Sequence, residues 1–109
     1  MALAKQLSEF PEVVILHEKL TRGESLNNRD LQLIDELSKE TGWSVEDIMD
    51  EIKDLDKEPS TLLEKYQKLF EKYFNESLEL KEKGEYIQAG EKLWGAVTAL
   101  IKLYASKRN

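Results

Sequence analysis

Cysteine is absent from this chain and histidine occurs once, as His17. Without a thiol there is no disulfide framework, no redox pair and no thiolate metal site, and one imidazole cannot anchor a zinc or iron centre alone. No window approaches the roughly 18 apolar residues a membrane span needs, and Met1-Ala-Leu-Ala-Lys-Gln-Leu lacks a basic stretch followed by an apolar signal core. A cytoplasmic protein without a membrane partner is expected. Breakers are scarce, with two prolines and five glycines among 109 residues, so long helices joined by few turns are expected.

What is present is charge and helical periodicity. Hydrophobic residues make up 40% and charged residues 35%, the balance of a folded, highly charged domain. Net charge is −6, and residues 46–58 hold seven acidic side chains against Lys53 and Lys57, a local balance of −5. Such a segment repels a phosphate backbone, so nucleic acid is not an expected partner. At the other end Lys102, Lys107 and Arg108 read as solvated charges complementing a helix dipole.

The pattern predicts an all-α chain of about five helices, with residues 1–58 an acidic N-terminal segment of about three short helices and residues 59–109 a helical hairpin. Around Pro11 to Arg22, Val13, Leu16 and Leu20 share a face and Gly23 stops the helix, although Val13-Val14-Ile15 leaves a strand open. Asn27-Asn28 caps a second helix carrying Leu31, Ile34 and Leu37, ended by Gly42. Ser44 with Asp47 opens a third, with Val45, Ile48, Met49, Ile52 and Leu55. Pro59 marks the boundary, and Thr61 with Glu64 is read as a capping box for the longest helix, running to about Lys83.

In that helix Leu62, Leu63, Tyr66, Leu69, Phe70, Tyr73, Phe74, Ser77 and Leu78 recur at three- and four-residue steps. After Gly84 the last helix has two faces. Tyr86, Ile87, Gly90, Leu93, Trp94, Val97, Leu100, Ile101 and Tyr104 are expected to pack against the long helix. Ala89, Ala96, Ala99 and Leu103 form a small-residue stripe expected to admit another backbone, from an N-terminal helix or a second copy. Tyr73, Tyr86, Ala89, Leu93, Trp94, Ala96, Val97 and Ala99 are therefore the expected interface residues, and Ala96→Glu is expected to separate an oligomer or unfold it.

Gly84-Glu85-Tyr86, Ala89, Leu93-Trp94, Ala96 and Ala99, preceded by an aromatic-rich helix, resemble the HEPN-type helical hairpin over residues 61–105, and most the archaeal PaREP branch of that superfamily. The resemblance implies a small helical bundle that pairs as a homodimer through its hairpin. It also implies kinship with ribonucleases and with partners of nucleotidyltransferase-like proteins. Catalytic members carry an Arg followed after a short spacer by a His. Here Arg108-Asn109 has no His after it and His17 lies far upstream, so neither catalysis nor a cofactor is expected.

Residues 33–48 are similar to a helix-turn-helix, with Leu37 inside, Gly42 at the turn, and Val45 and Ile48 seating the second helix. That helix presents Glu46, Asp47, Asp50 and Glu51 where a base-reading helix presents Arg, Lys, Asn or Gln, so an ordinary corner or a protein contact is the preferred reading. Carboxylate pairs such as Glu36 with Glu40 and Asp47 with Glu51 read as solvated faces and no metal is expected. Trp43, in the short turn, either packs the corner or stands exposed as a partner anchor. The expected role is a non-catalytic helical module that self-associates and binds a protein or small ligand. A DNA-binding regulator and a ribonuclease-like protein with an incomplete site are the alternatives.

Overall fold

A computed structural model describes residues 11–107. Among them every regular element is helical: α1 (Pro11–Arg22), α2 (Asn28–Thr41), α3 (Val45–Lys53), α4 (Leu63–Glu82) and α5 (Tyr86–Lys107), with short 3-10 turns at Asp54–Asp56 and Pro59–Leu62. The chain divides into two compact units between Lys57 and Glu58.

In the N-terminal unit the helix ends are set by local chemistry. Gly23 and Gly42 take φ of +71° and +77°, a left-handed conformation that costs a Cβ-bearing residue, and they end α1 and α2. Asn27 opens α2 with a reciprocal box: its Oδ1 accepts from the Asp30 N–H at 2.9 Å, and Asp30 Oδ2 accepts from the Asn27 N–H at 3.0 Å. Ser44 Oγ accepts from the Asp47 N–H at 3.2 Å at the start of α3. Asn27→Ala is expected to cost about 1 kcal/mol, read as a lower urea midpoint for this unit.

Helix α3 packs on both α1 and α2, and the core is Val13, Leu16, Ile34, Trp43, Ile48 and Ile52, all below 4% exposed. The β-branched run Val13-Val14-Ile15 is helical because Val13 and Leu16 fall on the packed side, while Val14 and Ile15 stay outside. The Lys19 ammonium donates to Asp30 Oδ2 at 2.7 Å. That bond first, and the Asn27 N–H second, hold the Asp30 carboxyl below the ordinary value of 3.8. A depressed carboxylate stabilises the fold fully above pH 3.8, and its contribution is lost as pH falls through the lower folded-state value. Acid titration followed by circular dichroism should show a loss of this unit's stability below that pH, and Asp30→Asn should flatten it.

The C-terminal unit is a helical hairpin. Pro59–Leu62 forms a 3-10 turn and α4 starts only at Leu63, with no side-chain cap. The expected Thr61–Glu64 box does not form, because Thr61 lies inside the Pro59–Leu62 turn and Leu62, not Thr61, is the residue that opens α4; the Thr61 hydroxyl donates to the Glu58 carbonyl at 2.7 Å. Gly84, at φ +81°, makes the turn, and α5 runs back along α4.

Candidate functional site

The hairpin seam is built from large side chains on one helix and small ones on the other. Helix α4 contributes Tyr66, Leu69, Tyr73 and Ser77, all buried, along one stripe at steps of three and four. Three contacts show which side of α5 meets them. Ser77 Oγ donates to the Ala89 carbonyl at 2.9 Å, the Lys92 ammonium lies 5.3 Å from the Tyr73 ring centroid, and the Lys102 ammonium lies 5.5 Å from that of Tyr66. Ala96 and Ala99, both 0% exposed, fall on the same side between them.

This reverses the expected use of the two faces of α5. The small-residue stripe Ala89, Ala96 and Ala99 meets α4, and the large apolar stripe points away. Tyr86 is 68% exposed, Ile87 83%, Leu93 45%, Trp94 48%, Val97 36%, Ile101 48% and Tyr104 58%. The reason is steric. Helices in contact generally lie roughly 8–10 Å apart, and rings as large as Tyr66 and Tyr73 are accommodated at such a separation where the opposing helix offers small residues.

The expected interface residues therefore separate into two groups. Tyr73, Ala89, Ala96 and Ala99 are buried in this unit, whereas Tyr86, Leu93, Trp94 and Val97 share the exposed face. Ile87, Ile101 and Tyr104, which periodicity placed on the same stripe but outside the expected interface set, join that exposed face. Towards its N-terminal end sits Gly90, flanked at three- and four-residue steps by Tyr86, Ile87, Leu93 and Trp94; a Cβ built there meets nothing within 4 Å, so it forms an open notch. Only four of the 22 residues of α5 are charged, in a chain that is 35% charged overall. Contiguous exposed apolar surface of this extent is uncommon on a monomeric protein.

The remaining candidates are structural. Trp43 is 2% exposed, so it is not a surface anchor. Its N–H donates to Thr41 Oγ1 at 3.1 Å and its carbonyl accepts from Ser38 Oγ, which lock the α2–α3 corner. In that corner Ile48 is buried, Val45 is 38% exposed, and Glu46 and Asp50 face outward. Glu51, grouped in sequence with solvated carboxylates, is 3% exposed because it stands beside Ile52 and one turn from Ile48 on the packed side. Lys102, expected at the solvated helix end, is also 3% exposed. Its butyl stem lies in the seam beneath the Tyr66 cation–π contact.

His17 Nδ1 sits 2.7 Å from the Ile52 carbonyl oxygen. A carbonyl can only accept, so the proton is on Nδ1 and the ring ties α1 to the end of α3. Arg108 lies outside the described residues. Among the described residues no group of three His, Cys, Asp or Glu side chains could hold a metal ion, and no helix is long and apolar enough to cross a membrane.

The chain is thus an all-α protein whose hairpin exposes the large apolar face of α5. Residues 65–109, which include all of α5 and most of α4, match the Archaeal PaREP1/PaREP8 family. Comparisons with curated proteins and with solved structures found no match.

Proposed function

We propose that the protein is a non-catalytic, cytoplasmic interaction module that self-associates through the exposed face of α5. The observation that carries this reading is the placement of Tyr86, Ile87, Leu93, Trp94, Val97, Ile101 and Tyr104 opposite the seam with α4. An aromatic side chain has roughly 150–250 Å² to bury, and at the exposures given above these seven residues offer on the order of 800 Å². A standard specific interface takes about 800 Å² from each partner. The kinship to HEPN-type hairpins implied by the PaREP resemblance supports the same reading.

Native mass spectrometry of the full chain tests it. A dimer without added nucleotide mass is the expected result. A monomer at tens of micromolar, with the same mass in sedimentation, overturns it.

A further inference from the structure

We infer that the α5 face is covered by α5 of a second copy laid antiparallel, so that Tyr86 of each chain meets Tyr104 of the other. This rests on the self-association reading above. The exposed stripe begins at Tyr86 and ends at Tyr104, a length of about 27 Å at 1.5 Å per residue. A two-fold axis level with residue 95 overlaps the stripe with itself from end to end. Leu93 then stands level with Val97 of the second copy, and the open notch at Gly90 stands level with Leu100 and Ile101.

Charge selects the antiparallel arrangement over the parallel one. At the N-terminal end of α5 the exposed Glu82, Glu85 and Glu91 stand against the exposed Lys81 and Lys83, with Lys92 drawn towards the Tyr73 ring in the seam, whereas the C-terminal end carries the exposed Lys107, followed in the sequence by Arg108. A parallel pair sets like charges and like helix-dipole ends side by side. An antiparallel pair sets each acidic end beside a basic one. A closed two-fold pair also buries the α5 stripes of both copies against each other, whereas a head-to-tail contact through that stripe would not close and could propagate into fibres.

Because the chain has no cysteine, introduced thiols report the arrangement without background. Tyr86→Cys and Tyr104→Cys chains, one labelled with ¹⁵N, are mixed under reducing conditions, checked for dimer by native mass spectrometry and then oxidised. A disulfide needs Cα atoms roughly 4.4–6.8 Å apart, so only thiols at the same level of the pair link. The expected result is the 86–104 hetero-linked species in at least tenfold excess, with neither variant linking to itself when oxidised alone. Should Tyr86→Cys cease to dimerise, Ile87→Cys takes its place one residue along. Self-linking of each variant alone, or a wild-type dimer whose variants do not link, overturns the antiparallel arrangement and leaves self-association standing. A wild-type monomer removes both.

Discussion

Tyr73→Ala is expected to abolish cooperative folding of the hairpin. The ring is fully buried, with the Lys72 ammonium 4.9 Å and the Lys92 ammonium 5.3 Å from its centroid. Removing a buried aromatic ring costs about 3–5 kcal/mol, from lost burial and from the cavity left behind. At roughly 0.05–0.15 kcal/mol per residue, a unit the size of residues 58–109 holds only about 3–8 kcal/mol in total. The truncation consumes most of that. Far-UV circular dichroism of the variant should show lost helix and a broad melt, while Tyr73→Phe, which keeps the ring between the two ammonium groups, should retain a sharp transition. A sharp, barely shifted transition in Tyr73→Ala would mean that Tyr73 is not central to the seam.

The helix boundaries were legible because they depend on neighbouring residues. Gly23, Gly42 and Gly84 stop helices through positive φ, and Asn27 and Ser44 start them through side-chain oxygens. Each of these signals is complete within a few positions of the chain. The start of α4 was misread because the chain after Pro59 first makes a 3-10 turn, which carries Thr61 inside it and moves the helix start on to Leu63.

The two faces of α5 were legible as faces, yet not in their direction. Periodicity states which residues share a side, while choosing the side that meets α4 depends on what α4 presents. Large rings on α4 require small residues opposite, so Ala96 and Ala99 are inside and Trp94 and Val97 are outside. Lys102 and Glu51 were misplaced for a related reason. Their charge suggested solvent, and nothing in the local sequence specified the Tyr66 ring beside one or the packed side of α3 beneath the other.

Two neighbouring positions turn this correction into the sharpest test of the assembly. Ala96→Glu, by sequence alone expected either to separate an oligomer or to unfold it, is now expected to act on the fold, because Ala96 is 0% exposed in the seam. Placing a carboxylate there without a partner costs on the order of 4 kcal/mol or more, and the hairpin should lose its helical signal at any protein concentration. Trp94→Glu is two residues away on the opposite side, with 48% of its surface already in solvent. Its effect on the isolated fold should stay within about 0.5 kcal/mol, as for other surface positions. At the centre of a dimer interface, however, a tryptophan contributes 2 kcal/mol or more, so the dimer should weaken by at least about 30-fold. Sedimentation equilibrium and thermal melts of both variants separate the two effects. Trp94→Glu should give a folded monomer and Ala96→Glu an unfolded one. If Trp94→Glu leaves the association constant within twofold of the parent, the exposed face of α5 is not where two copies meet.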